Sequence, residues 1–187
     1  MKYLGERGRQ LNPKLQAGVA FSVPCDLASS AVKMSNPANM LYMKRFLRML
    51  HEKVRAKVRM FPGEIDERGF HSIRSFKEFD ERYTAPLHGF RSAEDYWEKS
   101  SSKPFLGRIG VPTLLVSALD DPFLSPPCYP YREALSNPCL FLETPETGGH
   151  VGFVSFNPDD EYWSESRALE FLNAGSISPL HNRNRHE

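Results

Sequence analysis

Cysteine is scarce in this 187-residue chain, neither sign of charge predominates, and long apolar runs are missing. The three cysteines, Cys25, Cys128 and Cys139, are odd in number and have no C-x-x-C spacing. That disfavours a disulfide framework and a zinc site, and reduced thiols in a cytoplasmic setting are expected. With 24 Lys and Arg against 23 Asp and Glu the formal net charge is +1, so no whole-chain field points to nucleic acid as a partner. No apolar stretch approaches the roughly 20 residues that span a bilayer. The opening MKYLGERGRQ lacks the apolar centre of a signal peptide. No His/Cys/Asp/Glu cluster has metal-ligand spacing and no Gly-rich loop could cradle a phosphate, so neither metal nor cofactor is expected.

What is present is an ordinary globular composition, 40% hydrophobic and 25% charged, which fits one domain or a large piece of one. Three short apolar runs have the character of buried parallel strands. They are residues 15–23 (LQAGVAFSV), closed by Pro24; 112–119 (PTLLVSAL), entered through Gly110; and 139–144 (CLFLET), entered through Asn137 and Pro138. Residues 1–10 resemble the end of a helix broken at Gly8. Between the first two runs lies a largely helical insertion. In it Met40, Met43, Leu47, Leu50, Val54 and Val58 recur every three or four residues, the stripe of an amphipathic helix ended by Pro62 and Gly63. Further helices are expected over 72–83, with Ile73, Phe76 and Phe79 on one side, and over 93–100. Later ones are expected over 131–135 and over 162–172, the last with Trp163, Leu169 and Leu172 as packing residues.

Strand, helical insertion, strand, helix, strand, helix is the pattern of an α/β fold with an open, mostly parallel sheet. The core comprises residues 1–25 and 110–175, the insertion 26–109 forms a cap, and 176–187 is a polar, frayed tail. Such a sheet places the loops at the C-terminal ends of its strands on one rim, where α/β folds build their sites.

Two of these loops are chemically unusual. In ALDDPFLSPP, Asp120 and Asp121 emerge from an apolar strand into a proline-bounded turn. A carboxylate there can accept an imidazole N–H and fix the histidine tautomer, or it can simply cap an Asp-Pro turn. In ETPETGGHVGF a Gly-Gly pair leads into His150, 29 residues after Asp121. Glycines let the imidazole approach a neighbouring loop without a Cβ clash. An acid after one late strand and a histidine after the next is the late part of the Ser, Asp, His chain order of α/β-hydrolases.

SALDDPF and GGHVGF, with the preceding LHGF and the stretch SFKEFDERYTAPLHGFRSAEDYW, resemble the YheT-like family of α/β-hydrolases, also described as embryogenesis-associated. The resemblance runs from about Leu15 to Leu172. It implies the C-terminal part of an α/β-hydrolase fold with a cap, and a serine hydrolase of carboxylic esters with carboxylesterase or acylglycerol lipase activity. It maps the acid onto Asp121, directly before Pro122, and the base onto His150. The family's nucleophile does not come with it, because no Gly-x-Ser-x-Gly occurs in the 187 residues. Ser117 and Ser125 flank the Asp loop without sitting on a strand-to-helix turn. The nucleophile and the oxyanion-hole loop are therefore expected in an upstream, N-terminal half of the fold, and the chain alone is expected to be inactive. The alternative is a non-catalytic truncated product or binding module that keeps a hydrolase-like half-fold.

The partners implied are a small-molecule or lipid ester and the missing N-terminal half, with no nucleic acid. The helix over 40–61 adds a peripheral membrane contact as a further reading. It carries Lys44, Arg45, Arg48, Lys53, Arg55, Lys57 and Arg59 against one Glu52, a pattern that suits an anionic surface or a solvated cap face. His88, in a Pro-Leu-His-Gly-Phe turn, is a candidate to face the site or to make a structural hydrogen bond. His181 and His186 belong to the tail.

Overall fold

The computed structural model describes residues 1–154 and 162–174. In chain order the elements are α1 (Lys2–Arg7), β1 (Gly18–Phe21), α2 (Leu27–Met34), α3 (Met40–Met60), α4 (Phe76–Phe79), α5 (Ala85–Leu87), α6 (Ala93–Ser100), β2 (Thr113–Val116), α7 (Tyr131–Ser136), β3 (Leu140–Glu143) and α8 (Trp163–Ala174). The expected tail over 176–187, with His181 and His186, lies outside the described residues. The chain divides into two compact units, Met1–Asp26 with Ser101–Glu187, and Leu27–Ser100. Residues 101–109, grouped with the insertion on sequence grounds, thus fall in the first unit.

The first unit is built on a three-stranded parallel sheet in the order β1-β2-β3. Side chains of a strand alternate between faces, and the two halves of the core follow that alternation. Ala20, Leu115, Leu140 and Leu142 pack with Leu4, Cys25, Leu106, Ile109 and Ala134. Val19, Phe21, Leu114, Val116 and Phe141 pack on the other face with Ala118, Phe153, Trp163 and Phe171. Helices therefore cover both faces, which is why the strands read as unbroken apolar runs. β2, central, is buried throughout, whereas β1, on the edge, is half-buried. Burial also pushes the Cys25 thiol up to about 11, so it stays protonated and acts as a small apolar side chain.

The strands are shorter than their apolar runs. The first begins only at Gly18 because the Leu15 N–H turns back to the Asn12 carbonyl at 2.9 Å. The turn before β3 is held by Asn137, whose amide donates to the Leu106 and Ile109 carbonyls at 2.9 and 3.0 Å while its oxygen accepts the Cys139 N–H at 2.9 Å. On α8 the packed residue is Phe171, set edge-on to Phe141 at 5.4 Å, together with Trp163 stacked on Phe153 at 5.6 Å. Leu169 and Leu172, expected to pack, are 61% and 43% exposed. Their positions on the helix turn away from the ring ladder that Phe141 and Phe153 form.

The second unit is helical. α3 buries Met43, Leu47 and Val54 along its stripe, while Met40, at the first turn, is exposed. The helix expected over 72–83 instead starts at Phe76 and runs on to Leu87 as α4, a π-turn over Asp80–Thr84, and α5 without a break. Ser75 causes the late start, since its hydroxyl accepts the Glu78 N–H as an N-cap and holds its own backbone extended.

Candidate active site

The three parallel strands bring Phe21, Val116 and Glu143 into register, and the chain leaves all of them on one rim. After β2 it passes through the fully buried Ser117 and Ala118 into the Asp loop. The Leu119 N–H donates to the Pro145 carbonyl at 2.8 Å, tying this loop to the one that follows β3. The backbone of both loops is thus fixed before any functional side chain is placed.

Asp121 is turned inward, with its side chain fully buried. One carboxylate oxygen, Oδ1, accepts the Phe123 N–H at 2.8 Å. The other, Oδ2, lies 2.9 Å from His150 Nδ1. An ionised carboxylate only accepts, so Nδ1 carries the proton and Nε2 presents its lone pair. Among the described residues nothing hydrogen-bonds to Nε2, and the His150 side chain is 33% exposed. The Phe123 ring lies against the imidazole, centroids 4.7 Å apart. The ring is held on one side by a buried anion and on another by an aromatic wall.

Asp120 does something different with its carboxylate. Its Oδ1 accepts the Gly149 N–H at 2.8 Å, so the two neighbouring aspartates grip the same loop, one by its backbone and one by the imidazole. Gly149 has φ +57 and is open to solvent on its Cβ side. A Cβ on Gly148 would stand 2.7 Å from the Phe153 ring and 3.0 Å from Ala118 Cβ. The Gly-Gly pair is needed for two separate reasons, close approach at the first residue and a left-handed backbone at the second.

The structure therefore brings Asp121 and His150 together. Ser117 is buried beneath them and Ser125 is hydrogen-bonded within the loop to Cys128. His88 belongs to the helical unit and is exposed. Sequence reasoning missed three contributors. Asp120 enters the sequence pattern only as the other carboxylate of the Asp-Asp pair, with no role of its own. Tyr129, whose hydroxyl donates to the Ala118 carbonyl at 2.6 Å, is pushed up to about 12 by burial and then by the nearby Asp121 charge, so it remains a neutral donor under the Asp loop. Ser22, directly after β1, has φ +52, is buried, and has a hydroxyl without a hydrogen-bond partner among the described residues. Its segment SVP gives no sequence sign of that conformation. Among the described residues no group of three or more His, Cys, Asp or Glu side chains could hold a metal ion.

An open parallel sheet with a buried acid after one strand and a histidine after the next defines an α/β-hydrolase type of architecture. No protein-family model matches the chain, and no solved structure matches it. Curated proteins do. YheT of Escherichia coli (strain K12), whose name assigns it to the esterases, is 33% identical over 174 residues, which are 90% of this chain and 50% of that protein. The mouse protein named phospholipase ABHD3 is 32% identical over 82% of this chain and 37% of its own length. A Saccharomyces cerevisiae protein named monoacylglycerol lipase is 30% identical over 87% of this chain and 37% of its own length. The chain belongs to the YheT-like family of α/β-hydrolases, and its fold agrees with the C-terminal part of that architecture. It spans half or less of the length of the curated relatives described.

Proposed function

We propose that this chain supplies the acid and the base of a serine hydrolase acting on carboxylic esters, with His150 as general base and Asp121 as its orienting carboxylate. The carrying observation is the 2.9 Å contact between His150 Nδ1 and the fully buried Asp121. With Nδ1–H committed to Asp121, Nε2 takes the proton of a serine hydroxyl as that oxygen attacks the ester carbonyl, and later returns it to the leaving alkoxide. Asp121 stabilises the imidazolium formed in between, and its second oxygen, tied to the Phe123 N–H, keeps it from following the proton. The serine and the oxyanion-hole donors come from the upstream half of the fold. The chain alone therefore has no triad-dependent activity. The relatives' names, phospholipase and monoacylglycerol lipase among them, favour fatty acyl esters as the substrate class.

The test is His150→Ala in a protein that joins this chain to an upstream half carrying Gly-x-Ser-x-Gly, assayed on p-nitrophenyl esters of short and long acyl chains. Loss of the base in a serine triad costs up to about a millionfold in kcat. A fall of several orders of magnitude with unchanged circular dichroism is expected. Near-wild-type turnover would make His150 structural.

A further inference from the structure

In the helical unit α3 turns Leu41, Lys44, Arg45, Arg48 and Arg59 to solvent, all exposed and spaced so that they share one face. Among the described residues Lys44, Arg45, Arg48, Lys53 and Arg59 have no carboxylate within ion-pair distance. Arg55 differs, because Glu67 lies 3.1 Å from it. Glu52 is the only acid in the helix. Unpaired Lys and Arg are almost never buried, so this face is built to meet either water or an anion. Leu41 decides between these. It is 80% exposed, and with Lys44, Arg45 and Arg48 it lines an open depression of about 360 Å³. A single exposed leucine is ordinary on a protein surface, but ringed by cations it adds apolar area that a lipid surface, unlike water, would bury.

We infer that this face of α3 docks on an anionic lipid surface, with Lys44, Arg45 and Arg48 at the phosphate level and Leu41 inserted among the acyl chains. The apolar stripe of α3 is buried within the protein, so adsorption would rest on electrostatic attraction to anionic lipid with Leu41 as a small apolar anchor. Nucleic acid, the other polyanion, would reward the cations but leave Leu41 against a sugar-phosphate backbone. The inference is independent of the hydrolase reading, since it concerns adsorption and not chemistry.

Flotation of the full chain with phosphatidylcholine vesicles, with and without phosphatidylglycerol, tests it, because aggregated protein stays at the bottom of the gradient. The chain is expected to float with the anionic vesicles, to stay behind with the neutral ones, and to be released by added salt. Each basic residue near such a surface contributes about a factor of five, so the combined variant Lys44→Glu/Arg45→Glu/Arg48→Glu should lose binding by at least about a hundredfold. Leu41→Ser, which leaves every charge in place, should lose roughly tenfold. All four side chains are exposed, so thermal unfolding should be unchanged; if the triple variant nevertheless unfolds, Leu41→Ser and the salt titration decide. Failure to float with anionic vesicles, equal binding to neutral ones, or indifference to Leu41→Ser and salt would overturn the proposal. So would tighter binding to a labelled DNA duplex than to the vesicles at the same salt.

Discussion

In the helical unit Asp80, half-buried, and Asp95, buried, are engaged at both carboxylate oxygens. Asp80 accepts from Thr84 Oγ1 at 2.6 Å and from Trp97 Nε1 at 2.8 Å, and Asp95 accepts from the side chains of Arg91 at 2.6 Å and Lys99 at 2.8 Å. In the sheet unit three buried hydroxyls, Ser22, Ser102 and Ser117, have no hydrogen-bond partner among the described residues. Among the described residues the two non-glycine residues with left-handed backbone, Ser22 at φ +52 and Phe153 at φ +41, also lie there. Ser102 lies just after α6, but Ser22 and Ser117, and both strained residues, fall on segments that follow strands and feed the rim carrying Asp121 and His150. A helical unit that satisfies its own polar groups is arranged for stability. A rim that keeps strain and open hydrogen-bonding capacity beside a histidine fits the proposed chemistry, since such features persist where the surrounding structure over-determines them.

The sharpest way to break this contrast is at the buried carboxylate itself. Asp121→Asn keeps the shape but can offer an N–H where His150 Nδ1–H needs an acceptor, and in serine triads the corresponding change costs about ten thousandfold in kcat. Ester hydrolysis by the joined protein is expected to fall by that order with its melting temperature little changed. Turnover within tenfold of wild type would put Asp121 with Asp80 and Asp95, as a structural acid. Gly148→Ala comes next. The Phe153 ring that it meets at 2.7 Å is held between Phe21 and Trp163, so the ring cannot swing freely and the loop must shift. Overpacking of this kind costs roughly 1–3 kcal/mol, to be read from urea unfolding, and the shift should weaken hydrolysis by displacing His150. Full stability would mean that the site loop is as loose as an ordinary surface turn.

The helical unit is tested by acid. Hydrogen bonds from Arg91 and Lys99 hold the Asp95 carboxyl well below its ordinary value of 3.8. A carboxylate depressed in the folded state contributes stability that is present above its unfolded value and lost as pH falls through the folded one. Thermal unfolding followed below about pH 4 should therefore decline more steeply in the wild type than in Asp95→Asn. Parallel curves would show that the two cations hold Asp95 no more tightly than water does.

How far the sequence anticipated these two regions follows from the range of the interactions involved. Strand placement was legible because burial on both faces leaves apolar runs such as TLLV, and Asp121 with His150 because Asp-Asp-Pro and Gly-Gly-His mark the ends of those runs. What was not legible depends on contacts between distant residues or on one side chain's local choice. The Asp120 bond to the Gly149 N–H joins residues 29 apart, and nothing in either tripeptide distinguishes the two aspartates beyond the position of Pro122. The helix expected over 72–83 starts four residues late because at Ser75 a hydroxyl prefers the cap to a helix interior. On α8, Leu169 and Leu172 satisfied the apolar count, yet the aromatic partners Phe141 and Phe153 select Phe171 and Trp163.

The smallest expected effect is at Ser22, and it bears directly on whether the rim holds polar capacity in reserve. Its hydroxyl is buried without a partner, so removing it deletes a desolvation penalty and no hydrogen bond among the described residues. The left-handed backbone is equally costly for serine and alanine, so Ser22→Ala isolates the hydroxyl from the strain. Stability should stay the same or rise by up to about 1 kcal/mol, measured by urea unfolding. A loss greater than that would mean that the hydroxyl is already satisfied, for example by a bound water, and that this part of the rim is as self-contained as the helical unit. Ser22→Gly then isolates the strain: relief of the left-handed conformation, about 1 kcal/mol, is offset by the extra backbone entropy of glycine in the unfolded chain. The two variants should therefore have nearly equal stability, and a glycine variant more than about 1 kcal/mol above the alanine one would show that the strain at Ser22 outweighs its unpaired hydroxyl.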